Sequence, residues 1–439
     1  MGERSVICVY GKHVARGPPQ KMIVLEEEID LQRTAWDLLF HDLHLQIGEN
    51  VGAEGEQEAE RLFEELKFWQ RGAEALVSDV RDLGGQIVAN FMANLPYLEG
   101  ALKASAFSLK YAGVPAIICG SGPSLKRHLP LLKFLEKRVL LFAGGSSLKI
   151  LAENGITPHM GAALDPYAGK QIFPAEGIDT PFFFFPLRVS KEVLPLVRGK
   201  KVWVADGASY PLERWLTGEL GIEEARIDGG WNVATLCIHL ASMMGCDPII
   251  LVGVDLALSL ESVGLQQGEV VTKNDFLLAA DWIEDFIKEH PSLNIYTVSK
   301  ECLDIPSILY RSLENFTFPE REIPKCFSSE DMVFSASLKS VIDRWQESVV
   351  RVAGLVEELL LIFERAYPLD PRSQGSYSLK EVEMAEEPFY RFLVEPIWDV
   401  FRFVLVHEEV HTPFPGFKET IQKLVFIQKL AREITRATL

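Results

Sequence analysis

The feature that most constrains this chain is Cys119-Gly120-Ser121-Gly122-Pro123-Ser124-Leu125, directly behind the apolar run Val114-Pro115-Ala116-Ile117-Ile118. An apolar run that ends in Gly-x-Gly, followed by Pro and Ser, predicts a buried strand turning into a helix N-terminus. Pro123 suits the first helical turn because the N–H it lacks has no partner there. Glycines let the backbone approach a ligand closely, and free N–H groups with the helix dipole favour an anion, most often a phosphate. The residues therefore predict a nucleotide-phosphate loop, Gly120, Ser121, Gly122, Pro123 and Ser124 being the cradle. A tight turn of purely structural purpose is the alternative reading.

What is missing narrows the nucleotide. A dinucleotide fingerprint needs a third Gly, where Leu125 stands, and an acid after the second strand. The next strand candidate, Val139–Ala143, runs instead into Gly144-Gly145-Ser146-Ser147. No Walker Gly-Lys-Ser/Thr is present.

Between Tyr111 and Val298 strand and helix patterns alternate, the mark of a mostly parallel α/β sheet. The expected strands are Ala116–Cys119, Val139–Ala143, Met160–Leu164, Phe182–Phe185, Lys201–Ala205, Ile249–Val254 and Asn294–Val298. The unbroken Phe182–Phe185 run fits a strand buried on both faces better than an aromatic ligand platform. The expected fold class is thus α/β, a Rossmann-like mostly parallel sheet (residues 113–305). It is preceded by an N-terminal α/β accessory or oligomerisation domain (1–112) and followed by a helical C-terminal domain (306–439). In the first domain, short strands at Val6–Tyr10 and Met22–Leu25 precede a helical pattern over Glu58–Leu109, broken at Leu95-Pro96.

Ligands of open parallel sheets bind beyond the carboxyl ends of the strands. Asp165 and Asp255 stand at such ends, with Asp206-Gly207 and Asp228-Gly229-Gly230 in comparable places. Carboxylates there can hold a hydroxyl, a magnesium ion on a diphosphate or a proton in transit, so Asp165 and Asp255 are the candidate catalytic acids. The alternative is that they cap turns and helices. In Asp228-Gly229-Gly230-Trp231-Asn232-Val233-Ala234-Thr235 a Gly pair opens a helix. Asn232, Thr235, His239 and Ser242 share one side of it, and Gly229, Gly230, Asn232 and Thr235 are candidate contacts to a second part of the ligand.

These segments together resemble the family of motility accessory factors (Maf) and the related 6-hydroxymethylpterin diphosphokinase (MptE-like) domain. The resemblance rests on Gly120-Ser121-Gly122-Pro123-Ser124-Leu125, then Ile156-Thr157-Pro158-His159 leading to Leu164-Asp165-Pro166. It continues through Gly229-Gly230-Trp231-Asn232-Val233-Ala234-Thr235 and Gly245-Cys246-Asp247-Pro248-Ile249-Ile250-Leu251-Val252-Gly253-Val254-Asp255-Leu256-Ala257. It implies a Rossmann-like core similar to that of bacterial sialyltransferases, and one of two activities. Motility accessory factors transfer a nonulosonic acid from a CMP-sugar donor to a protein acceptor, Ser or Thr of flagellin. The pterin branch moves diphosphate from ATP with magnesium. The flanking regions look more like the accessory-factor architecture. This chain has Gly264 where many members place a His nine residues beyond the Asp255 position. It reads Ser299-Lys300-Glu301-Cys302-Leu303-Asp304 where the family commonly shows Thr-Glu-Gly-Gly-Ala. A catalytically divergent nucleotide-binding interaction protein is the non-enzymatic reading.

The net charge of −18 argues against nucleic acid or an anionic membrane surface as partner. Six scattered cysteines without Cys-x-x-Cys spacing fit reduced thiols, and with no apolar run of membrane-spanning length the expected location is the cytoplasm. His407-Glu408-Glu409-Val410-His411 matches the zinc-protease pattern H-E-x-x-H, yet Thr412-Pro413 ends the helix at its second His. A solvent-facing helix end explains it more simply than a metal site.

Overall fold

The computed structural model describes residues 5–10, 21–25, 29–48, 51–205, 211–257, 273–300, 302–318, 334, 336–366, 371–405 and 418–438. Two compact units are present: residues 1–82 with 399–409, and residues 83–398 with 410–439.

In the first unit, strands β1 (Ser5–Tyr10), β2 (Lys21–Val24) and β3 (Asp42–Ile47) form a parallel sheet in the order β2-β1-β3. Its core is Val6, Cys8, Leu25, Leu31, Ala35, Leu38, Leu62 and Leu66. Helix α1 (Leu31–Asp37) is capped by Asp30, whose carboxylate accepts the Arg33 N–H at 2.9 Å. The buried Gln70 amide of α2 (Ala53–Asn94) donates to the carbonyls of Leu38 and His41 at 2.7 and 2.9 Å, tying the turn before β3 to the helix.

The second unit is built on a nine-stranded sheet. Its strands are β4 (Leu102–Lys103), β5 (Ala116–Cys119), β6 (Leu140–Gly144), β7 (Met160–Ala162), β8 (Phe182–Phe185), β9 (Lys200–Trp203), β10 (Ile249–Val252), β11 (Ile295–Thr297) and β12 (Leu309–Tyr310). All neighbours pair in parallel, in the order β12-β11-β10-β5-β6-β7-β8-β9-β4. Ala116 of β5 is in register with Leu140 of β6 on one side and Ile249 of β10 on the other. Strands buried on both faces read as continuous apolar runs, which is why β5, β6, β8 and β10 were visible in the sequence. Phe183, Phe184 and Phe185 are fully buried, and Phe107 meets Phe182 and Phe184 edge to face, so the phenylalanine run is core.

The helical pattern expected to run to Leu109 stops sooner. Past Asn94 the chain forms a 3-10 turn at Leu95–Leu98, edge strand β4 and a second 3-10 turn at Ala104–Phe107. Pro96 ends the helix because its ring removes a ladder hydrogen bond. Helices α3 (Leu125–Leu135), α4 (Ser146–Glu153), α5 (Pro211–Leu220), α6 (Val233–Met243) and α7 (Asn274–Glu289) alternate with the strands, and α6 lies against β5, β6, β7 and β10.

The C-terminal helices α8 (Leu338–Ala366), α9 (Pro371–Ala385), α10 (Glu395–Leu405) and α11 (Lys418–Thr438) follow, with a π-helical turn at Tyr390–Val394. Apart from α10 beyond Trp398, they share the compact unit of the sheet. The reason is packing: Trp215 of α5 lies 5.3 Å from the fully buried Trp345 of α8, which meets Phe389 edge to face at 5.7 Å. The Phe389 N–H also donates to the buried Ser348 hydroxyl at 3.1 Å. Among the described residues no helix is long and apolar enough to cross a membrane.

Candidate functional site at the carboxyl ends of the strands

From β5 the chain winds through β6, β7, β8 and β9 on one side, then returns by α6 to β10 on the other. The strand order therefore reverses between β5 and β10, where an open parallel sheet leaves its ligand crevice. The loops meeting there are Gly120–Ser124 and Gly253–Ala257.

These loops are bonded to each other. The amides of Gly120 and Gly122 donate to the carbonyls of Val252 and Gly253, both at 2.8 Å. Ser124 donates its N–H to Asp255 Oδ2 at 2.8 Å and its hydroxyl to Asp255 Oδ1 at 2.5 Å, while the Gly253 N–H donates to the Ser124 Oγ at 3.2 Å. Ser124 and Asp255 are 1% and 3% exposed. A Cβ on Gly122 would stand 2.5 Å from Asp255 Oδ2, and one on Gly120 would overlap the Gly253 carbonyl. The glycines are needed for the approach of one loop to the other.

The structure thus puts a carboxylate of the protein itself at the N-terminus of α3, the position at which the sequence suggested an external anion. An acid there complements the helix dipole, and both its oxygens are spent on Ser124. Of the expected cradle, Ser121 and Pro123 are exposed, whereas Gly120, Gly122 and Ser124 are engaged beneath. The Asp255 carbonyl accepts the Leu303 N–H at 2.9 Å, which ties the chain at Leu303 to this loop. Burial raises the nearby Cys302 thiol. Burial likewise lowers His128 of α3, against the opposing pull of Glu314 and Asp255.

The second segment is a rigid turn. Asp228 Oδ1 accepts the Gly230 N–H at 2.9 Å, and its Oδ2 accepts the indole N–H of Trp282 on α7 at 2.7 Å. Gly230 has φ +60°, and a Cβ there would press on the Thr235 hydroxyl at 2.5 Å and the Trp282 ring at 3.0 Å. Asn232 caps α6: its Oδ1 accepts the N–H groups of Ala234 and Thr235 at 2.9 and 3.1 Å. The buried Thr235 hydroxyl accepts the Asn232 N–H at 3.1 Å and donates to the Gly229 carbonyl at 2.7 Å, completing a capping box. His239 faces α7 rather than solvent. Its Nδ1–H donates to the Asp228 carbonyl at 2.9 Å, its ring lies 5.3 Å from that of Phe286, and burial holds its pKa below the usual value.

This turn stands at the carboxyl ends of β6 and β7: Val233 fills the space a Cβ on Gly144 would need, and Gly229 lies beside Leu164. Asp165 is exposed, and its Oδ1 accepts the Tyr167 N–H at 2.7 Å in an Asx turn. The loops after β7 and β8 are pinned by two buried asparagines of α2. Asn90 donates to the carbonyls of Pro166 and Arg188 at 2.9 and 3.1 Å and accepts the Lys191 N–H at 3.1 Å. Asn94 donates to the carbonyls of Leu187 and Val189 at 3.0 and 2.6 Å.

The strands that lead into the loops of Asp165 and Asp255 stand three spacings apart, about 14 Å. Asp255 has both carboxylate oxygens on Ser124, and Asp165 has Oδ1 on the Tyr167 N–H. Asp206, Gly207, Gly264 and the His407–His411 motif lie outside the described residues. Among the described residues no cluster of three or more His, Cys, Asp or Glu side chains could hold a metal ion. Sequence reasoning missed Asn90, Asn94 and Trp282. Two asparagines one helical turn apart inside an otherwise apolar stretch were the available sign of the first two, because Asn in a helix interior needs a reason.

Residues 89–261 match the family model described as "6-hydroxymethylpterin diphosphokinase MptE-like". No curated protein matches the sequence. Among solved structures, the MAf glycosyltransferase from Magnetospirillum magneticum AMB-1 is similar with a TM-score of 0.51 at 16% identity, over 95% of this chain and 70% of that one. At that identity the likeness is one of fold. The motifs and the matched segment agree: central residues 89–261 resemble the MptE-like family, and the fold is similar to that of the MAf glycosyltransferase.

Proposed function

We propose that this protein is a transferase acting on a nucleotide-activated donor, and that it moves a nonulosonic acid from its CMP donor to a hydroxyl of a protein acceptor. The observation that carries this reading is the shared fold, which extends with the MAf glycosyltransferase over 95% of the chain, flanking regions included. The three-strand spacing between the strands leading to Asp165 and Asp255, with both Asp255 oxygens on Ser124, also favours it over diphosphate transfer from ATP, because that reaction calls for magnesium held on carboxylates. Glycosyl transfer asks the protein to position the acceptor and stabilise the departing phosphate, which neutral hydrogen-bonding loops can do. In this reading the exposed Ser121 and the Gly145-Ser146 turn after β6 meet the donor phosphate, and Gly230 and Asn232 line the nucleotide. Asp165 takes the proton of the attacking hydroxyl as the bond from the anomeric carbon to the CMP oxygen breaks. Asp255 acts at one remove, holding Ser124 and the loop in place.

Isothermal titration with CMP, CDP, ATP and GTP, with and without magnesium, tests the reading. Metal-independent CMP binding is expected. Magnesium-dependent ATP binding would replace it with the diphosphokinase reading suggested by the family description, and no binding at all would leave a fold retained for protein interaction.

A further inference from the structure

Four aromatic side chains are exposed among the large apolar residues described: Phe134, Tyr167, Trp231 and Tyr310. The Arg138 guanidinium lies 4.8 Å from the Phe134 ring and the Lys300 ammonium 4.6 Å from the Tyr310 ring, so each has a cation over its face. Tyr167 also has its interactions within the protein. Trp231 is different. It is 39% exposed, and among the described residues neither a ring, a cation nor a hydrogen-bond acceptor engages its indole.

The turn that carries Trp231 is held on both sides. Asp228 fixes Gly230 on one side of it, the Asn232–Thr235 capping box fixes the other, and Trp282 packs beneath Gly230. Val233 against Gly144 and Gly229 against Leu164 place the turn at the ligand end of the sheet. A rigid backbone therefore holds the largest apolar side chain in water beside the carboxyl ends of β6 and β7, where burial elsewhere would have been favourable. That is the arrangement of a stacking platform, in which the ordering cost is met before the ligand arrives.

We infer that Trp231 stacks on the base of the nucleotide donor. The inference deepens the proposed function and rests on its nucleotide ligand, but holds for either a cytosine or an adenine base. Stacking is tolerant of base identity because every base has a π-face.

Titrations of wild type, Trp231→Ala and Trp231→Phe with CMP, with ATP and with ribose 5-phosphate, which has no base, test it. The expected result is a loss of affinity of about 10-fold or more for the bound nucleotide in Trp231→Ala. Trp231→Phe should retain most of the affinity, and ribose 5-phosphate should bind all three proteins equally. Nucleotide affinity unchanged in Trp231→Ala overturns the role of Trp231 and leaves the nucleotide reading standing. An equal loss for ribose 5-phosphate overturns stacking in favour of a general disturbance of the turn. Failure of the wild type to bind any nucleotide overturns the nucleotide reading itself and the platform with it.

Discussion

The Ser124 hydroxyl and amide both donate to one carboxylate, that of Asp255, 131 residues further along the chain and nearly as deeply buried. Hydrogen bonds to a buried charge are among the stronger ones, and Ser124→Ala removes one while leaving the charge in place. It should lower stability by about 1.5–3 kcal/mol, read from denaturant unfolding. Asp255→Asn should also destabilise. A variant of either kind as stable as wild type would show that the two loops are held by other means.

Gly122 and Gly218 give opposite expectations for the same change. A Cβ on Gly122 meets Asp255 Oδ2 at 2.5 Å and the Gly253 carbonyl at 2.7 Å, so Gly122→Ala should cost about 1–3 kcal/mol. Gly218 lies in α5 with open space around it, and Gly218→Ala should stabilise by up to about 1 kcal/mol. Paired melting curves check the difference in sign.

Thr235 completes the capping box from a fully buried position. Thr235→Ala should cost about 1–2 kcal/mol through the lost bonds to Gly229 and Asn232. Thr235→Ser, which keeps the hydroxyl, should recover most of it. Equal losses in both variants would assign the effect to the methyl group.

His159 sets a pH dependence. Its Nδ1 accepts the Leu141 N–H at 3.1 Å, which needs the neutral ring, and burial lowers its pKa from the ordinary 6.5 against the raising effect of Glu136. Because the folded value lies below the unfolded one, the unfolded chain binds the proton first as pH falls. The stabilisation is complete above about 6.5 and is lost as pH falls from there through the lowered value. Unfolding of wild type and His159→Gln between pH 8 and 5 should converge toward acid. Parallel curves would remove His159 as the source.

The parts legible in the sequence were those set by local pattern. Strands β5 and β8 were read with their observed limits and β10 to within two residues, because doubly buried strands carry unbroken apolar runs. β4 and β12 are two residues each and exist only by pairing with strands far away in the chain, so nothing local announces them. At the site, the Gly-x-Gly turn and the N-cap at Asn232 were readable as turn and cap. Whether the carboxylate facing the turn belongs to a ligand or to the protein was not, because Asp255 reaches Ser124 only through the return of β10 beside β5.

Asn90 and Asn94 give the tail of α2 a use beyond burying apolar surface. Four residues of helix advance about 6 Å, so the two side chains act as marks on a ruler laid across the loops after β7 and β8. One mark touches both loops and the other only the second. A single residue inserted or deleted between them turns one mark away by about 100°, whereas the loops themselves carry no comparable record of their spacing. The distance between two strand ends is therefore written in a helix that precedes the whole sheet in the chain.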